Sequence, residues 1–209
     1  MPILKGSATF SRYRVEADAK AGKNAKKDLA KALKLRAFEP LDRQGEDERA
    51  EGFVELEHRD RTDFSPGALY EGPYALFAYR IDEIRIPPAA LRAELEVWEQ
   101  NFVAEHQRPP GKKEKSEAKE EIRFTLKPRY PVATKTFEVS WHTEEGFAQI
   151  WAGSRKAVDE VQAAVEQALA VKLIPVAPVT IAADLDIADK ALSPTPALSM
   201  PEETTHGRS

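Results

Sequence analysis

Residues 73–106 read PYALFAYRIDEIRIPPAALRAELEVWEQNFVAEH, and the hydrophobic period changes once within them. Over 73–86 the aromatic and β-branched residues crowd together as they do in a strand. Pro87-Pro88 ends that strand, because proline lacks an amide donor, and its fixed φ suits the opening of a helix. Beyond it Leu91, Leu95, Trp98 and Phe102 recur at spacings that keep all four within about 60° of arc on a helix. The spacing predicts a helix over 89–106 with Trp98 and Phe102 in the core.

Upstream, residues 3–15 read as a strand, with Phe10 on one face and Tyr13 and Val15 on the other. Asn24 stands where an N-cap would, before a helix Ala25–Arg36 carrying Leu29, Ala32 and Leu33 at helical spacing. Lys23, Lys27, Lys31 and Lys34 line another side of it. Pro40–Gly52 is acidic and turn-like, Gly52–Leu56 a short strand, and His58–Gly72 a polar loop turning at Pro66-Gly67.

Downstream, Gln107–Gly111 (QRPPG) breaks the chain before a charged helix from Lys112 to Lys127, which Pro128 and Pro131 stop. Residues 132–142 alternate as a strand, Glu144-Glu145-Gly146 turns, and 147–152 returns as a hairpin. Gly153-Ser154 opens a helix to about Val171, with Val158, Val161, Val165 and Leu169 as its buried stripe. Leu173–Ile181 is predicted to be an edge strand because of its prolines. From Ala182 the Pro, Ser, Thr and acidic content predicts a disordered tail. The order of elements is strand, helix, strand, strand, helix, helix, strand, strand, helix, strand. It predicts an α+β protein with antiparallel sheets and helices on one side. One domain over 1–181 is expected, with 1–106 and 112–181 as candidate sub-units about the 107–111 linker, and 182–209 as tail.

The 209 residues are 42 % hydrophobic and 32 % charged, a water-facing globular composition. No apolar run approaches the roughly 18 residues of a membrane span, and no signal-peptide pattern opens the chain. Absence of cysteine removes disulfides, thiol nucleophiles and zinc knuckles and suits a reducing cytoplasm. The net charge of −4 hides segregation. Residues 1–36 carry ten Lys/Arg against three acids, and 107–135 nine against four. Residues 39–63 carry ten acids against four arginines. Local potential, rather than the total, is what attracts a phosphate backbone.

Wound as a helix, Lys112–Lys127 sorts its side chains. Ala118, Ile122 and Leu126 form a narrow apolar stripe. Lys112, Lys115, Lys119, Arg123 and Lys127 lie beside it, and Glu114, Glu117, Glu120 and Glu121 occupy the third side with Phe124. Cations gathered along one edge can address a polyanion together, whereas an ordinary solvated helix mixes its signs. With Lys113, Arg129 and Lys135 they make a candidate nucleic-acid-binding set.

Catalytic patterns are lacking. His58, His106, His142 and His206 are scattered without metal-ligand spacing, and the sequence has no phosphate-cradling glycine loop, G-x-S-x-G elbow or H-E-x-x-H. Asp82 and Glu83, adjacent on a strand, point to opposite faces, and Glu144-Glu145 sits in a turn. The reading is a binding protein without cofactor rather than an enzyme.

Several local signatures then resemble RdgC, the recombination-associated family of bacteria. They are Leu4-Lys5-Gly6 with Phe10, Phe38-Glu39-Pro40, Gly52-Phe53-Val54, and the segment from Ala78 through Arg80, Asp82 and Glu83 to Pro87. Leu126-Lys127-Pro128-Arg129, Val139-Ser140-Trp141 and Pro175-Val176 continue the series in order. The resemblance implies a homodimer that encircles duplex DNA without sequence preference and limits access of a RecA-type recombinase. Longer members of the family run on for a further domain, whereas this chain is expected to pass into its tail, leaving the ring open on one side or closed through a single weaker contact. Cytoplasmic, nucleoid-associated location without a membrane follows from the same resemblance. The alternative reading is an interaction module that binds a recombination protein or nuclease through the acidic 39–63 region, without DNA.

Overall fold

The computed structural model describes residues 9–17, 25–45 and 47–185. The expected strand start at 3–8, the Asn24 cap and the side chains of Lys23 and Lys27 lie outside the described residues. The chain divides at Ile174/Pro175 into a larger and a smaller unit.

The larger unit is built on one sheet. Strands β1 (Ser11–Ala17), β2 (Arg49–Glu55), β3 (Tyr70–Glu71), β4 (Tyr74–Ile84), β5 (Val132–His142), β6 (Phe147–Trp151) and β7 (Val171–Pro175) run in the order β2-β4-β5-β6-β1-β7, with β3 also paired to β4. β4 and β5 form its spine, antiparallel over their whole length from Tyr74 opposite His142 to Ile84 opposite Val132. β4 therefore joins the segments on either side of the 107–111 break. β7 takes the edge, where its proline costs no ladder bond.

Because neighbours across antiparallel strands share a face, the register sorts the side chains. Tyr13, Phe53, Phe77, Tyr79, Ile81, Val139 and Ile150 project to the first face and are buried there. Helices α1 (Ala25–Leu35) and α5 (Arg155–Leu169) cover that face with Leu29 and Leu33, and with Val158, Val161 and Val165. Phe53 meets Phe77 and Tyr79 edge-on, the favoured geometry for paired rings. The α+β arrangement, an antiparallel sheet with helices on one side, is the one the element order implied.

A second, smaller cluster of Phe38, Val54, Leu56 and Ala78 lies on the opposite face near β2. It exists because the segment after α1 lies against β2: Phe38 N donates to Phe53 O and Phe53 N to Arg36 O, both at 2.9 Å. Gly52 permits this approach. A Cβ there would sit 2.5 Å from the Phe38 backbone, so any side chain would push the strand apart.

Four expectations need correction. β2 begins at Arg49, inside the acidic stretch read as a turn. The 58–72 loop contains a short helix α2 (Pro66–Leu69) and β3, both too brief for a periodic signal. Helix α3 (Pro88–His106) forms where expected but has no fully buried residue: Leu91, Leu95, Trp98 and Phe102 are only half-buried. It packs on helix α4 (Lys112–Leu126), not under the sheet, so Trp98 and Phe102 are not core. The edge strand expected over Leu173–Ile181 is β7, which ends at Pro175; the smaller unit carries α6 (Pro178–Asp184), a helix across the point, Ala182, where the tail was expected to begin.

Candidate nucleic-acid interface

Helix α4 starts at Gly111, whose N–H donates to Glu114 Oε2 at 2.7 Å. Arg108 grips the same carboxylate through both nitrogens, at 2.6 and 2.9 Å. Arg108 first, then the Gly111 N–H, pull the Glu114 carboxyl down to about 2. The acid at the helix start thus stays charged where the helix dipole favours a negative charge. Ala118 and Leu126 are buried and Ile122 half-buried, so the apolar stripe faces inward as its spacing required. Phe124 falls outside that stripe and is 51 % exposed. It borders an open hollow of about 510 Å³ shared with Glu48, Arg123 and Lys127.

The cationic edge divides. Lys112, Lys119 and Lys135 are exposed and carry no ion pair among the described residues. Lys113 is exposed and only 3.7 Å from Glu117. Lys115 reaches Glu99 at 2.8 Å and Arg129 lies 3.7 Å from Glu94, so both tie α4 and its following turn to α3. Such exposed pairs are weak and readily exchanged for a phosphate. Arg123 is held more firmly: its Nε and Nη2 donate to the two oxygens of Glu48 at 3.0 and 2.7 Å. Its guanidinium draws the Glu48 carboxyl below the usual carboxylate range.

Lys127 does not belong to the surface set. Its side chain is buried at 2 % exposure, and its ammonium donates to Gly45 O at 2.6 Å and Asp42 O at 3.0 Å. The helix closes into a 3-10 turn over Lys127–Arg129, which carries this lysine inward to pin the 42–45 loop. Sequence spacing fixes the angle of a residue about the helix axis. It cannot reveal a loop from 82 residues earlier that arrives to bury one of them.

The acidic 39–63 stretch is largely engaged within the chain. Glu48 holds Arg123, Glu51 takes Arg49, Asp60 takes Arg80 and Asp63 takes Lys34. The buried Glu55 accepts from Phe64 N. The carboxylates of Asp82 and Glu83, adjacent on β4, are also committed separately. Asp82 meets Arg80 at 2.8 Å and Glu83 meets Arg85 at 2.7 Å, on opposite faces of β4. Burial raises the Asp82 carboxyl, but bonds from Arg80 and Thr134 outweigh it and leave it low. Among the described residues no three His, Asp or Glu gather as a metal site. No helix among them is long and apolar enough to cross a membrane.

No curated protein matches the chain. A family described as "Putative exonuclease, RdgC" matches residues 9–188, spanning every element from β1 to α6. With so much of its length matched, the chain belongs to the RdgC family.

Proposed function

We propose that this protein binds duplex DNA without sequence preference and acts in recombination by occupying DNA. The observation that carries the reading is the set of exposed lysines, Lys112, Lys113 and Lys119 on α4 with Lys135 on β5, for which no firm partner appears among the described residues. Lys115 and Arg129 join them by releasing weak pairs. Point charges on flexible stems suit phosphate oxygens and read no bases. Family membership supports the recombination role, and the engaged acids of 39–63 weigh against an acidic docking surface. The word exonuclease in the family's description makes cleavage the competing activity. We favour binding, because Asp82, Glu83 and Glu48 are each held by an arginine.

The dimer belongs to the same proposal. The half-buried stripe of α3, with Val97 and Val103 exposed beside it, offers apolar surface to a second copy. Two copies would double the cations on one DNA segment and raise affinity through avidity.

Fluorescence anisotropy with duplexes of unrelated sequence tests the reading. If about four phosphates are neutralised, log K should fall against log salt with a slope near about −3.6. Affinity independent of salt, or absent at low salt, removes the proposal. Loss of labelled nucleotides in magnesium or manganese buffer would establish the nuclease instead.

A further inference from the structure

The sheet ends at β2 on one side and at β7 on the other, and the two edges are finished differently. At β7 the main chain of Leu173 is taken up by side chains of α5. Its N–H donates to Glu166 Oε1 at 2.8 Å, and Gln162 Nε2 donates to its carbonyl at 3.3 Å. At β2 the outward groups of Phe53 bond the 36–38 segment, and the Glu55 N–H bonds Arg61 O. Alternate residues of an antiparallel strand bond to alternate sides, so Arg49 and Glu51 also turn N–H and C=O away from β4. Among the described residues no hydrogen bond reaches those groups. Bare edges are commonly defended by charge. Here Arg49 is drawn to Glu51 and to Glu160 of α5, so its charge is spent within the chain.

Beside the bare stretch lies a cleft of about 530 Å³. Ala164 and Gln167 of α5 line it, as do Glu39, Asp42 and Asp47. Most acids of 39–63 are engaged, but these three are exposed and have no ion pair among the described residues. Arg36 is the only cation in the lining besides Arg49.

We propose that this cleft takes an extended, basic peptide segment of another protein, added to β2 as a further strand. Outward N–H and C=O groups repeating at strand spacing are matched by another extended backbone, which offers donors and acceptors in the same alternation. Nucleic acid brings phosphate acceptors alone and would meet three carboxylates. Ala37 already bridges Phe53, so only Arg49–Glu51 stays bare, room for one slim strand rather than for the edge of a second copy's sheet. Side chains of the added strand would alternate between two sides. Small apolar ones suit Ala164 of α5, and lysine or arginine suits Glu39 and Asp42. None of the lysines of the duplex reading takes part.

Its test uses the full chain and a fluorescein-labelled peptide alternating lysine and valine. One control is the same peptide N-methylated at every residue, which keeps the charge and loses the donors; the other alternates glutamate and valine. Both controls should bind at least about tenfold more weakly, the order expected for one or two lost hydrogen bonds. Glu51→Pro removes an outward N–H without touching the β4 ladder, as edge prolines do. It should weaken the lysine peptide about tenfold and leave duplex DNA binding unchanged. Glu39→Lys with Asp47→Lys, both at exposed positions, should abolish the preference for the lysine peptide over the glutamate peptide. Hydrogen exchange at the Arg49 and Glu51 amides should slow when the lysine peptide is added. The proposal is overturned if that peptide does not bind at low salt, or if those amides exchange as before. Equal binding of the N-methylated peptide also overturns it, since charge alone then suffices. Conversion of a dimer to monomer by Glu51→Pro in light scattering would give the edge to a second copy instead.

Discussion

Two lysines eight positions apart on the same helical edge have opposite fates. Lys119 is exposed, so Lys119→Glu should leave the melting temperature within the scatter of surface substitutions. The same change should weaken duplex binding several-fold. Lys127→Ala removes an ammonium that satisfies two carbonyls inside the protein. Its stability should fall by about 2–3 kcal/mol, typical of losing hydrogen bonds to a charged group, read as a shift in urea midpoint without change in slope. Arg123 stands between these cases, and reversing it should lower stability because Glu48 then faces a like charge. The pH dependence of that pair has a definite sign. A carboxyl held below its ordinary range contributes stability above that range and loses it as pH falls through the folded-state value. Glu48→Gln should therefore narrow the stability difference between neutral and acid pH. An unchanged acid limb would show that the Arg123 pair contributes nothing.

At the scale of elements, α3 is the instructive case. Its apolar stripe was legible, as were the strands over 74–84 and 132–142 and the buried valines of α5, because periodicity reports which side of an element is apolar. Periodicity does not report what covers that side. Leu95 and Trp98 give the same pattern under a sheet, against a single neighbouring helix, or facing another copy. The pairing of Lys115 with Glu99 and of Arg129 with Glu94 was hidden for a similar reason. Each helix had a visible charged edge, and only the hairpin geometry set the edges together. If α3 meets a second copy, Val97→Asp should convert dimer to monomer in light scattering and leave the thermal transition nearly unmoved, because Val97 is already exposed. A large drop in melting temperature would mean that α3 is covered within its own chain.

Over the larger unit, the spine of the sheet is a hairpin with a long helical connection. Ile84 and Val132 are paired neighbours, yet everything from Arg85 to Pro131 is spent between them on α3 and α4. In an antiparallel pair such ends lie about 5 Å apart, a gap that a two-residue Asn-Gly turn spans. The helical pair is therefore an excursion between two paired residues, and the sheet with α1 and α5 is expected to close without it. Replacing Arg85–Pro131 by Asn-Gly should give a chain that still unfolds cooperatively. Its midpoint should be lower, since Glu48 loses Arg123 and the Asp42 and Gly45 carbonyls lose Lys127. Shortened in this way, the protein should lose most of its affinity for duplex DNA, since Lys112, Lys113 and Lys119 go with the helices. A lineage could thus lengthen, shorten or recharge the excursion, altering what it grips, while the sheet stays as it is.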